Sequence, residues 1–154
     1  MELGLWKSTY QNVVNTVLGI YRAPYSSSNK TTDNQFIDEF LNILADILPH
    51  HNNLVILGDI NLHLNKKDDP LIDILDQSLS ALGLKQHVSE YTHKEGNILD
   101  AIITDLDTNY THSCEVGDFL SDHRYVLFKT IRCKKESKHH KLEHRNLKCV
   151  AQST

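Results

Sequence analysis

Hydrophobic and polar positions alternate along this chain in two different rhythms. Leu54-Val55-Ile56-Leu57 is an unbroken apolar run, as expected of a strand covered on both faces. Val13 to Tyr21 is rich in β-branched residues and reads as another strand, stopped at Tyr21-Arg22-Ala23-Pro24 because proline cannot continue sheet pairing. Ile98 to Thr104, Val126 to Ile131 and the short Leu84 to Val88 complete the strand set. Met1 to Tyr10 follows neither rhythm clearly. Between the strands the spacing becomes helical. Phe36, Ile37, Phe40, Leu41, Leu44 and Ile47 form one stripe, with Thr32 or Asp33 as cap and Pro49 as stop. Leu71, Ile72, Leu75, Leu79 and Leu82 form a second, opened by Asp69-Pro70 and closed by Gly83. Strands alternating with two helices predict an α/β layered domain. The segment from Tyr21 through the first helix to Leu54 is long enough for a parallel crossover, although antiparallel pairing stays open.

Polar groups at the strand ends carry the candidate chemistry. Gly58 closes the apolar run, and Asp59 and Asn61 follow two residues apart. In extended backbone they would project together from the strand end. Asp and Asn also favour an Asx turn, and the residues alone leave both readings open. Asp100 stands among apolar strand residues, where a carboxylate is costly unless paired or hydrogen-bonded. A buried arginine or a backbone turn could serve it, and so could an imidazole. Ser121-Asp122-His123 directly precedes the last strand. Extended backbone splays Asp122 and His123 apart, so they take different tasks. His123 paired with Asp100 would be an oriented, charge-stabilised imidazole, leaving Asp122 for a metal. Either residue could also be an ordinary surface group, since the chain holds ten histidines.

Composition narrows the classes. The length, 154 residues, suits one domain, and 40% hydrophobic with 23% charged residues is globular. No apolar run approaches the roughly eighteen residues of a membrane span, and no basic-then-apolar leader opens the chain. Cys114, Cys133 and Cys149 form no close pair, which fits a reduced compartment and an intracellular location, nuclear or cytoplasmic. There is no Walker loop, no Gly-x-Gly-x-x-Gly and no Gly-x-Ser-x-Gly elbow. The net charge of −4 conceals an asymmetry: residues 132–148 hold seven Lys/Arg against two Glu, +5, leaving −9 elsewhere. An acidic body grips phosphates poorly unless its carboxylates hold a divalent cation that meets the phosphate for them. The division expected is a domain over 1–132 and a basic, flexible tail over 133–154.

Taken in order, Tyr21-Arg22-Ala23-Pro24, Gly58-Asp59-Ile60-Asn61-Leu62-His63, Tyr91-Thr92-His93 to Leu99-Asp100, and Ser121-Asp122-His123 resemble the endonuclease/exonuclease/phosphatase superfamily. Gln86-His87-Val88 ahead of Thr92-His93-Lys94-Glu95-Gly96-Asn97 is similar to the endonuclease domain of non-LTR, LINE-type retrotransposon polyproteins. The resemblance implies the C-terminal half of a four-layer, DNase I-like α/β sandwich and magnesium-dependent phosphodiester cleavage of DNA, with manganese as a possible substitute. It implies that Asp59 activates or orients water, that Asn61 holds the water and phosphate, and that His123, oriented by Asp100, stabilises developing charge. Tyr21 would contact phosphate, Thr92 and Ser121 the substrate, and Asp122 the metal. The strands that carry the family's principal metal-binding Glu have no counterpart ahead of Tyr21, so a chain of this kind is expected to be weak or inactive alone. The rest of a retrotransposon polyprotein, including a reverse transcriptase, is the implied partner. Two other classes remain: a non-catalytic nucleic-acid-binding remnant, and a phosphatase of the same superfamily.

Overall fold

The computed structural model describes residues 1–10, 13–27, 29–51, 53–105 and 110–132. The expected basic tail lies outside the described residues, with Cys133 and Cys149. Strands β1 (Glu2–Tyr10), β2 (Val13–Tyr21), β3 (Leu54–Asp59), β4 (Lys85–Gln86) and β5 (Asp100–Thr104) form one sheet in the order β1-β2-β3-β5-β4. Strands β6 (Tyr110–Phe119) and β7 (Arg124–Arg132) form a separate antiparallel hairpin. β2 and β3 run parallel, so helix α1 (Asp33–Ile47) is the crossover between them. Helix α2 (Pro70–Ala81) leads from β3 to β4.

Each helix begins where its capping chemistry dictates. Thr32, not Asp33, caps α1: its hydroxyl accepts the Gln35 N–H at 3.3 Å, and the Gln35 side chain accepts the Thr32 N–H at 3.0 Å. Pro49 falls in a single 3-10 turn, Leu48–His50, just beyond the helix end. Asp69 caps α2 through the Leu71 N–H at 2.9 Å, with Pro70 at the first position. Phe36, Phe40 and Leu44 from α1, with Ile72, Leu75 and Leu79 from α2, are buried against Leu18, Ile20, Leu54, Ile56 and Ile103 of the sheet. The hairpin lies on the opposite face, where Cys114, Val116, Val126 and Phe128 pack against the core. Helices, main sheet and hairpin make three layers; a fourth is not among the described elements.

Several boundaries shift from expectation. The stretch around Met1 to Tyr10 is a nine-residue edge strand paired with β2 throughout. Strand β6 carries no apolar alternation to announce it: its inward positions are His112, Cys114 and Val116, and it exists through pairing with β7. The strand expected over Leu84–Val88 contracts to Lys85–Gln86. Asp100 is the first residue of β5 rather than an interior one. Among the described residues no helix is long and apolar enough to cross a membrane.

Candidate active site

The end of β3 is shaped by Gly58. Its φ of +147° suits glycine, and a Cβ there would stand 1.8 Å from the Ile20 carbonyl oxygen. That close approach sets Asp59 beside Tyr21 on β2 and directly opposite Asp100 on β5. With Glu2 on β1, register lines up Glu2, Tyr21, Asp59 and Asp100 in one row across four strands. Beyond Asp59 the chain does not stay extended. Asn61 adopts φ +46°, and its N–H donates to Asp59 Oδ1 at 2.9 Å. The Asx turn and the convergence of Asp59 with Asn61, weighed as alternatives on sequence, are the same structure. Asn61 Nδ2 donates to the Arg22 carbonyl at 2.7 Å and to Asp59 Oδ2 at 3.2 Å. Both amide hydrogens are thus engaged, and the Asn61 Oδ1 is left as the atom able to meet a water.

Arg22 locks this corner from beneath. Its backbone N–H donates to Asp59 O at 2.9 Å, and Nη1 donates to Asn61 O at 3.0 Å and Ile60 O at 3.4 Å. Nη2 pairs with Asp33 at the start of α1 at 2.5 Å, and the guanidinium lies 4.9 Å from the Phe36 ring centre. Arg22 Nε is the buried side-chain atom that lacks a hydrogen-bond partner among the described residues.

Asp100 is held from behind by Thr92. The Thr92 hydroxyl accepts the N–H groups of Leu99 at 3.1 Å and Asp100 at 3.2 Å, and its residue exposure is 0%. Thr92 therefore stands behind the Asp100 backbone, not on the surface a substrate would meet. His123 closes the group: its Nδ1 lies 2.8 Å from Asp100 Oδ2 and its Nε2 4.0 Å from Asp59 Oδ2. One imidazole thus spans two facing carboxylates, which relieves like charges set opposite each other in a ladder. The structure brings Tyr21, Asp59, Asn61, Asp100 and His123 to one rim. Ser121 and Asp122 sit on the hairpin turn beside it, both exposed; the Ser121 hydroxyl donates to Asp122 Oδ1 at 3.0 Å, and Asp122 Oδ2 lies 3.9 Å from His93 Nε2. The Asp122 carboxylate is thus turned to Ser121 and His93. Among the described residues no three His, Cys, Asp or Glu side chains are grouped to hold a metal ion.

Burial and neighbouring charges shift the titrating groups of the rim in different directions. Burial pushes the Asp59 carboxyl up; the Asn61 N–H opposes this, the Asp100 charge adds to it, and His123 and His93 oppose it further. Burial also works against charge on His123, but its hydrogen bond to Asp100 and the charges of Asp100, Asp59 and Asp122 outweigh it, so the imidazole is shifted upward. The Ser121 hydroxyl bond draws the Asp122 carboxyl down.

Gly58, Arg22 and Arg124 escaped the sequence reading as site-building residues. Arg22 had a usable signal: a lone cation between a strand and a proline stop. Arg124 had none, because its work is done on backbone, through Nε to Gly117 O at 2.6 Å, Nη2 to Val116 O at 3.2 Å and Nη1 to Tyr91 O at 3.2 Å.

No protein-family model matches the sequence, and no curated protein matches it. Among solved structures, the endonuclease domain of TRAS1, a telomere-specific non-LTR retrotransposon, superposes with a TM-score of 0.64 at 19% sequence identity. The match covers 86% of this chain and 63% of that one. The fold is nuclease-like. The mixed α/β arrangement, with its sheet and two helices, is similar to the DNase I-like TRAS1 domain. This chain spans less than two thirds of the length of that neighbour.

Proposed function

We propose that this chain hydrolyses phosphodiester bonds in DNA as an endonuclease of the non-LTR retrotransposon kind. The observation that supports this best is His123 standing between Asp100 at 2.8 Å and Asp59 at 4.0 Å. In this reading Asp59, with its raised affinity for a proton, accepts a proton from the attacking water. Asn61 Oδ1 holds that water in line. His123, its proton affinity raised and its ring oriented by Asp100, faces the phosphoryl oxygens as negative charge develops on them. Tyr21, in the same row as Asp59, would reach the phosphate through its hydroxyl. Ser121 borders the rim as a substrate contact.

Magnesium, with manganese as a substitute, is the cation such chemistry calls for. The described donors do not fit it by themselves: Asp122 is the expected ligand, yet no three donors assemble around it. That same observation favours a second reading, in which the chain binds nucleic acid without cutting it. Nicking of supercoiled plasmid with magnesium tests the first reading. Slow relaxation that disappears in His123→Ala and Asp59→Ala is expected. Equal nicking by the parent and both variants would contradict it, and salt-sensitive DNA binding that persists in His123→Ala without nicking would favour the second. A phosphatase of the same superfamily would instead hydrolyse a small phosphomonoester faster than DNA.

A further inference from the structure

The strongest group of side chains left without a task is built around His93. It belongs to a tight turn rather than to the main sheet. The N–H groups of Thr92 and His93 both donate to Asn97 O, at 2.9 and 3.0 Å, and the Gly96 N–H donates to His93 O at 2.9 Å. This turn is then fastened to the hairpin. A single antiparallel bridge pairs His93 with His123, the Arg124 N–H donates to Thr92 O at 2.7 Å, and the Lys94 N–H donates to Asp122 O at 2.9 Å. Directly opposed residues in such a bridge bring their side chains together. The two imidazoles meet edge to face, with ring centres 5.0 Å apart and planes at 67°. The His93 side chain is only 14% exposed, so it is placed to support its neighbour more than to meet a substrate.

Its own ring is fixed as well. The Glu95 N–H donates to His93 Nδ1 at 3.4 Å, which puts the ring hydrogen of the neutral form on Nε2, facing Asp122 Oδ2 at 3.9 Å. His123 has a complementary need. A hydrogen bond at Nδ1 anchors one edge of its ring, but the torsion between Cβ and an imidazole is broad, and one bond leaves the ring free to tilt. The ring of His93 stands against that tilt, edge to face with His123.

We propose that His93 is a positioning residue for His123: its ring holds the His123 imidazole with Nδ1 on Asp100 and Nε2 turned toward Asp59. Its relevance to cleavage rests on the endonuclease reading; the positioning itself does not. The contact is between aromatic edges and faces, so a phenyl ring at position 93 replaces it and an aliphatic side chain does not.

The test uses the full chain with nitrogen-15-labelled histidine, at one alkaline pH where His123 is neutral. In the parent, His123 shows two well-separated ring nitrogens, one carrying hydrogen toward Asp100 and one bare. His93→Phe keeps that separation. His93→Ala and His93→Leu lose it, and the two resonances move together as the tautomers average. His93→Leu preserves side-chain volume and serves if His93→Ala does not fold, which circular dichroism reports. Retained separation in the folded Ala or Leu variant would overturn the proposal, as would its loss in His93→Phe. Plasmid nicking measured alongside distinguishes the two readings: averaged resonances in an inactive chain support positioning while contradicting the endonuclease.

Discussion

Two arginines, one on each wall of the site, do similar work in different surroundings. Arg22 fastens the Asp59–Asn61 corner from within the core, through the carbonyls of Ile60 and Asn61, with Asp33 and the Phe36 ring beside it. Arg124 fastens the hairpin wall through the carbonyls of Val116, Gly117 and Tyr91, its guanidinium 4.7 Å from the Tyr91 ring centre and 6.0 Å from that of Phe119. Arg22 is buried and Arg124 only partly so. Water can more readily replace Arg124 at its carbonyls than Arg22 at the buried Ile60 carbonyl. The wall carrying Asp59 is therefore an extension of the core. The wall carrying His123 hangs on a surface hairpin whose turn exposes Leu120 at 79%. The site should accordingly lose its two walls under different insults.

The largest effect is expected at Gly58. Gly58→Ala imposes a strained φ, about 1–3 kcal/mol by itself, and drives a Cβ against the Ile20 carbonyl. Urea denaturation should show a steep loss of midpoint or no cooperative transition. Next comes Arg22→Met, which strands buried carbonyls at roughly 1–3 kcal/mol each. Arg124→Met should cost visibly less, because solvent substitutes. Urea midpoints measured side by side decide it, and equal losses would erase the distinction between core wall and surface wall. Thr92→Val leaves the Leu99 and Asp100 N–H groups without their acceptor, at about 1–3 kcal/mol for each that stays dry.

Acid acts on the hairpin side. Burial holds the His87 imidazole down to about 4, with His112 and Lys85 adding to the effect. Its Nε2 lies 2.7 Å from Thr104 Oγ1, and its ring meets His112 of the hairpin at 4.4 Å between centres. The unfolded chain takes up this proton near 6.5, so His87 adds stability above that pH. The contribution declines as pH falls from about 6.5 and is gone below about 4. Urea midpoints across that range should decline in the parent and decline less in His87→Phe. The smallest effect belongs to Leu120→Ser on the exposed turn, which should stay within about 0.5 kcal/mol of the parent.

Much of this was legible in the sequence where one residue's chemistry decides its own place. Thr32 and Asp69-Pro70 open helices for local reasons, and the stripes they introduce face the core, fully buried at their centres and partly buried at Leu41, Ile47, Leu71 and Leu82. The convergence of Asp59, Asn61, Asp100 and His123 could be read because each stands at the end of a recognisable strand. Position 92 shows where such reading stops: a threonine in a motif looks like a ligand contact, and only its neighbours reveal that its hydroxyl serves two backbone N–H groups. β6 was invisible because a hairpin covering one sheet face needs few apolar residues. Arg124 acts on carbonyl oxygens, which have no sequence signature, and Arg22 showed only its place between a strand and a proline stop, not the carbonyls it serves.

The proposed endonuclease requires the side chains of Asp59, Asn61, Asp100 and His123 to form one phosphate-facing surface. Titrating a short DNA duplex into the labelled full chain, while following the Asn61 side-chain amide and the His123 ring by NMR, tests this most directly. Both signals should shift together along one binding curve, and Asp100→Asn should weaken the response of His123 more than that of Asn61. DNA-induced shifts confined to other surfaces, with Asn61 and His123 unmoved at saturation, would contradict it.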